Sequence, residues 1–155
     1  MANGTSDLLN VTRHNAIAAP PVVKVITDDY TVPMDKSGIV VMIGTDAKTI
    51  TLPAVSAVAP GYAVTVINIG ADGNNIVTVS PSGTDGVKGS LPASAGANAD
   101  ATTADGLVSK ASGANGKDIV NTKATANQGD RITLIADGEA DWFIAGGVGI
   151  WASEA

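Results

Sequence analysis

Apolar and polar residues alternate with a period of two along much of the chain from Val22 onward, which is typical of β-strands. The clearest examples are the segments 22–27, 48–52, 62–69, 76–79 and 131–135. Shorter segments of the same kind are 30–32, 142–145 and 148–151, the last being either a short strand or a docking tail. Turn residues such as Asp28-Asp29 and 136–141 separate them, and Pro53 and Pro81 end two of them.

Two segments give more specific predictions. The uninterrupted apolar run 38–43 (GIVVMI) indicates a strand that is buried on both faces. The segment 70–75 (GADGNN) is rich in residues that tolerate positive φ, and it predicts a hairpin loop. The connector 53–61 has room for one short helical turn.

The region 82–128 has a different composition, with many small and polar residues and few large apolar ones. Such a sequence does not build a core alone. A structureless loop of this length is unusual within a compact domain. We therefore expect short strands around 86–88 and 117–121, joined by a long surface loop that is either a contact loop or mobile.

Residues 1–21 are predicted to be an N-terminal arm, because Asn, Gly and the pair Pro20-Pro21 interrupt any regular pattern. The arm is either a frayed terminus or a segment that docks on a neighbouring copy or on a shell. Its apolar residues are the candidates for docking: Leu8, Leu9, Val11 and Ile17.

Many short strands with almost no helix predict a single all-β domain over residues 22–155, which is a β-sandwich, a jelly roll or a β-barrel-like domain. Only five of the 155 residues are aromatic, so the core is expected to be thin, which favours an oligomer. Trp142, Phe143 and Trp151 are the large side chains expected in the core or at a subunit interface.

The charge and the cysteine content exclude several classes of function. The chain has 15 acidic and 9 basic residues and a formal charge of −6, which argues against neutralising the phosphates of a nucleic acid. The absence of cysteine excludes disulfides and thiolate metal sites. The sequence shows neither a signal peptide nor an apolar run long enough to span a bilayer, so we expect a soluble protein without a membrane partner.

Residues suited to catalysis are sparse. The single histidine, His14, lies in the arm between Arg13 and Asn15, where it would be a poor general base. The aspartates Asp28, Asp29, Asp35 and Asp46 occupy turn-like positions, and a turn also explains the oxygen-rich segment 72–75 better than a calcium loop does. We therefore predict no catalytic residue, no cofactor site and no metal site, and we expect that the protein is not an enzyme.

A series of motifs carries a resemblance to a known group of proteins. It runs through the segments 48–53 (KTITLP), 60–66 (PGYAVTV), 74–81 (NNIVTVSP), 129–135 (GDRITLI) and 142–144 (WFI). This succession resembles a β-module of tailed-bacteriophage head decoration (cement) proteins, which is also similar to modules at the tips of phage tail fibres. The resemblance covers roughly residues 38–151, although the stretch between Pro81 and Gly129 is longer than in the module.

The resemblance implies a structural virion protein on the outer surface of an icosahedral capsid. As a homotrimer it would bridge capsomers of the major capsid protein and stabilise the shell, because a protein bound only to the assembled shell stabilises that state. An alternative is a tail-associated host-recognition module that uses the region 82–128. A third possibility, a glycan or cell-wall hydrolase, lacks the acid–base cluster that this chemistry requires.

Overall fold

The structure, a computed structural model, describes residues 21–73, 75–92, 107–109 and 118–153. Short runs of alternating residues form strands throughout these ranges. The strands are β1 Val23–Ile26, β2 Tyr30–Thr31, β3 Ile39–Ile43, β4 Lys48–Thr51, β5 Ala63–Asn68, β6 Val77–Ser80, β7 Gly86–Lys88, β8 Ser90–Pro92, β9 Leu107–Ser109, β10 Ile119–Asn121, β11 Arg131–Ala136, β12 Asp141–Val148 and β13 Trp151–Ser153. A single 3₁₀ turn, Val55–Ala57, lies in the connector where the sequence has room for one.

Two sheets enclose the core, which confirms the predicted all-β sandwich. The six-stranded sheet has the order β1-β3-β5-β11-β12-β7, and the five-stranded sheet has the order β13-β10-β6-β4-β2. A small antiparallel sheet of β8 and β9 packs against β12 and β13.

The first six strands alternate between the two sheets. β1, β3 and β5 lie parallel in the six-stranded sheet, while β2, β4 and β6 lie parallel in the five-stranded sheet. The pairs β1–β2, β3–β4 and β5–β6 therefore each form one coil. The three coils (residues 23–31, 39–51 and 63–80) stack in register. The remaining strands continue both sheets, mostly by antiparallel pairing.

This topology corrects the hairpin prediction for the segment 70–75. The segment joins β5 to β6, which belong to different sheets, so it is an arch across the sandwich and the hairpin prediction is wrong. Gly73 adopts a φ of 67°, as the composition led us to expect, but a positive φ serves a crossing between sheets as well as a hairpin. The connection between β11 and β12, in contrast, is a true hairpin.

The region 82–128 contributes strands to both sheets. β7 forms at residues 86–88 as predicted, and β10 forms at 119–121, within the range expected for a strand. β10 lies between β6 and β13, so a part of this region is a central strand of the five-stranded sheet. The connection between β9 and β10 (110–117) and the residues 93–106 lie outside the described residues.

The core is filled from the inner faces of both sheets, mainly by valine, isoleucine and leucine. Val41, Val66 and Leu134 are fully buried in the six-stranded sheet, and Ile50 and Val79 are their counterparts in the five-stranded sheet. Each such side chain contributes about 1.5–3 kcal/mol relative to leaving it exposed.

The apolar run 38–43 is buried on one face only, so the prediction that both faces are buried is wrong. Ile39, Val41 and Ile43 point into the core, whereas Val40 and Met42 are half-buried on the outer face. No described strand or helix forms a further layer over that outer face. The inward residues of this run are apolar because they fill the core, whereas the outward residues Val40 and Met42 form part of an apolar outer surface.

Candidate functional site

The two tryptophans that the sequence singles out lie in the core. Trp142 is 0% exposed and makes an edge-to-face contact with Tyr62, with ring centroids 6.1 Å apart. Its indole N–H finds no acceptor among the described residues. Trp151 is also buried, and its indole N–H donates to the carbonyl of Val148. Both side chains thus serve the fold.

Phe143 lies elsewhere, since alternation along β12 places it on the outer side of the sheet and leaves it 45% exposed. The remaining predicted interaction residues, Leu8, Leu9, Val11 and Ile17 of the arm, lie outside the described residues. Of the predicted site residues, Phe143 is therefore the one that the structure places on a surface.

Phe143 belongs to a larger surface that we call the apolar face, the outer face of the six-stranded sheet. Its large apolar members come from five adjacent strands: Val23, Val25, Val40, Met42, Ile67, Ile135, Phe143 and Val148. Thr65 and Thr133 lie among them. The surface was not predicted as a unit, because pairing partners are needed to see that these residues are neighbours.

The strand register defines the rows of the apolar face. The first row is Val25, Met42, Ile67, Arg131 and Val148; the second is Val23, Val40, Thr65 and Thr133; the third contains Ile135 and Phe143. The hydroxyls of Thr65 and Thr133 are 2.9 Å apart, so they satisfy each other within the face. Directly opposed side chains in a sheet are in contact range, so each row is continuous.

Charge is confined to the rim of the apolar face. Arg131, the first residue of β11, lies at one end of the face between Ile67 and Val148, and the ion pair of Lys88 with Asp141 lies at the far edge, beside Phe143. Val23 and Val25, on edge strand β1, are 52% and 61% exposed. Continuous apolar surface of this kind, rimmed by polar groups, marks interaction sites on soluble proteins.

The outer face of the five-stranded sheet, which we call the hydroxyl face, has the opposite character. Its register sets Thr31 beside Thr51 and Ser80, and Thr49 beside Thr78. Val120 and Ala152 continue the second row. Threonine and serine give this face polar groups that water can satisfy, so the sandwich has one apolar and one hydrophilic outer surface.

A buried polar network joins the two sheets at one end of the sandwich. Asn68 at the end of β5 donates from Nδ2 to Asn121 Oδ1 of β10 at 2.8 Å, and Asn121 donates to Asp130 Oδ2 at 2.9 Å. Asp130 also accepts from the amide of Asn127, and Asn121 donates to the carbonyl of Ile150. Each of these groups is engaged with another protein atom, so the network fixes the sheets relative to each other.

Gly149 is required beside this network. Its φ is 101°, and a Cβ atom there would overlap the carboxylate of Asp130. Only glycine tolerates both the backbone conformation and the close approach.

Exposed aspartates hold the turns through backbone amides. Asp46 accepts from the amide of Ile76 and pairs with Lys123, and these contacts hold the pKa of its carboxyl below the ordinary value of 3.8, the hydrogen bond from Lys123 contributing most. Asp137 accepts from three amides of the β11–β12 hairpin, which likewise lowers its pKa, with that of Glu139 the leading cause. Asp29 accepts from the amide of Thr49.

Neither a metal-binding cluster nor a membrane-spanning helix occurs in the part of the chain that the structure describes. It contains no group of three or more His, Cys, Asp or Glu side chains arranged to hold a metal ion. Within the same ranges, no helix is long and apolar enough to cross a membrane.

Comparison with known proteins gives no family for this chain. No protein-family model matches the sequence, and no curated protein matches it either. The two outer faces and the sequence motifs are therefore the features of this chain that bear on its function.

Proposed function

We propose that this protein is a non-catalytic structural subunit that binds the outer surface of an icosahedral phage capsid and stabilises it, with the apolar face as the contact surface. The observation that carries the proposal is the pair of unlike outer faces. The apolar face meets the shell protein, and the hydroxyl face meets solvent. The sequence motifs that resemble cement proteins fall on β4, β5, β6, β11 and β12, the central strands of the sandwich.

The size of the apolar face suits attachment to a shell. Six strands spaced about 4.8 Å apart span roughly 24 Å, and five residues along a strand span about 16 Å, which gives a face of about 400 Å². Stable protein pairs bury about 800 Å² per partner, so one such contact alone is weak. A trimer that bridges capsomers combines three such contacts, and this multivalency converts weak contacts into firm attachment.

Stabilisation follows from linkage. A subunit that binds only the assembled shell lowers the free energy of that state, and the effect is multiplied by the number of occupied sites. The net charge of −6 keeps neighbouring copies soluble while they crowd on one surface.

The first test is the copy number of the protein in purified particles, measured by quantitative mass spectrometry against the major shell protein. Near-stoichiometric amounts support decoration of the capsid. A few copies per particle would overturn decoration in favour of a tail-associated host-recognition protein, and absence from particles would overturn both.

A matched pair of variants tests the contact surface. Val25→Lys places a charge on the apolar face at edge strand β1, and Thr31→Lys places the same charge on the hydroxyl face at edge strand β2. We expect Val25→Lys to weaken binding to undecorated shells at least about tenfold, which corresponds to about 1.4 kcal/mol, while Thr31→Lys binds normally. Equal binding of the two variants would contradict the assigned surface.

A further inference from the structure

The chain enters the sandwich at the edge of the apolar face. Residue 21 is the first described residue, and β1, the edge strand that carries the exposed Val23 and Val25, begins two residues later. Residues 1–20 are therefore tethered directly to the rim of this face. No described element covers the face itself.

The tethered segment has the composition that the face requires. Its large apolar residues are Leu8, Leu9, Val11 and Ile17, and its two charged residues, Asp7 and Arg13, cancel. A segment of this kind can bury leucine and valine side chains on an apolar surface while its two charged side chains stay in water. The hydroxyl face offers threonine and serine instead, so it is a poor alternative for the same segment.

The segment is long enough to cross the face. Twenty residues extend to at most about 66–72 Å, whereas the six strands span roughly 24 Å. The strands next to β1, namely β3 and β5, are therefore well within the reach of both Ile17 and the pair Leu8-Leu9.

Size also decides between this segment and a second copy as the occupant. A face of about 400 Å² is half of what each partner contributes to a standard interface. A second copy must find it at the free protein concentration. A segment tethered at the rim experiences an effective concentration in the millimolar range, so even millimolar intrinsic affinity suffices to hold it in place.

We infer that residues 1–20 of the free protein dock on the apolar face of their own chain, with Leu8 and Leu9 seated among Val40, Met42 and Ile67. The inference does not require the proposed function, because it concerns the protein in the absence of a shell. If both hold, the shell and the segment compete for one surface.

The experiment is paramagnetic relaxation in the full-length protein, observed at leucine methyl groups by NMR. The chain has no cysteine and only six leucines, so a single spin label and selective methyl labelling give few and assignable signals. Arg131→Cys places the label at one end of the apolar face, beside Ile67, and Thr78→Cys places the matched control label on the hydroxyl face. Leu134 lies near the label at position 131 and Leu52 near the label at position 78. Their methyl signals are the internal standards for the broadening that each label causes.

We expect the label at position 131 to broaden the methyl signals of Leu8 and Leu9, and the label at position 78 to leave them sharp. Adding Val25→Lys to the labelled Arg131→Cys protein should restore the sharp signals, whereas adding Thr31→Lys should not. These results support docking on the apolar face of the described sheet.

Three results would overturn the inference. Sharp Leu8 and Leu9 signals with both labels mean that the segment is not on the face. Equal broadening by both labels means that it prefers neither face. Broadening in a mixture of spin-labelled and isotope-labelled molecules means that the face is occupied by another copy. None of these measurements involves a shell, so they fail or succeed independently of the proposed function.

Discussion

The two outer faces of the sandwich are built on the same backbone plan yet have opposite chemistry. In the second coil the outward residues are Val40 and Met42 on one sheet and Thr49 and Thr51 on the other. The inward residues of both sheets are mostly apolar, with Asn68 and Asn121 of the buried network as polar exceptions. The comparison teaches that the inner positions determine the fold, while the outer positions are free to specify what each face meets.

The largest effect should come from breaking the inner set while sparing the outer one. Leu134→Ala removes a fully buried side chain from β11, and we expect a loss of about 2–5 kcal/mol in the free energy of unfolding. Thr133→Ala, one residue away on the apolar face, removes one hydrogen bond to Thr65 and should cost about 0.5–1.5 kcal/mol. Urea unfolding of both variants checks this. Equal losses would mean that β11 is not oriented as described.

The next largest effect is expected from the buried hydrogen-bond network that joins the two sheets. Asn121→Ala leaves Asn68 Nδ2 without its acceptor and removes a donor from Asp130, so we expect a loss of about 1–3 kcal/mol. Asn127→Ala, which removes a side-chain hydrogen bond at the margin of the network, should cost less. A smaller loss for Asn121→Ala than for Asn127→Ala in thermal unfolding would refute the importance of the central link.

A smaller effect is expected from the aspartates that hold the β11–β12 hairpin and the arch between β3 and β4. The pKa of Asp137 is lowered in the folded state below its ordinary value of 3.8. Its contribution to stability is therefore fully present above pH 3.8 and is lost as the pH falls through the folded-state pKa. Asp137→Asn should therefore melt below the wild type at pH 7, and the difference should vanish in acid. Asp46→Asn should behave likewise at the arch before β4. Melting curves in steps below pH 3.8 measure both, and a difference that persists in acid would contradict the assignment.

The smallest effect on stability should come from the matched surface pair. Val25→Lys and Thr31→Lys each change an exposed edge residue, and we expect both to alter the free energy of unfolding by less than about 0.5 kcal/mol. Chemical denaturation measures this directly. A loss above about 1.5 kcal/mol for Val25→Lys would mean that the apolar face is part of the folding core rather than a surface.

Sequence alone predicts the strands well, because alternation identifies which residues share a face. The segments around Ile50, Val66 and Leu134 form strands close to where the pattern indicates them. Alternation does not identify the partner of a strand, so the three parallel coils were not foreseen. The same limit explains the arch at 70–75, whose turn residues suit a hairpin equally well.

The apolar face escaped sequence analysis for a related reason. In the runs around Val25 and Met42 both inward and outward positions are apolar, and such runs are indistinguishable from strands buried on two sides. Only the sheet order shows that nothing described lies over the outward positions. Phe143, expected in the core or at a subunit interface, was the one predicted site residue that leads to this surface.

The stacked coils make the length of this protein adjustable. Each coil repeats the same path between the two sheets, so a duplicated coil would insert between existing ones and be paired on both sides at once. Every added coil would lengthen both faces by one strand spacing, about 4.8 Å. Gene duplication of a single coil is thus a route by which such a chain widens its contact surface without redesigning its core.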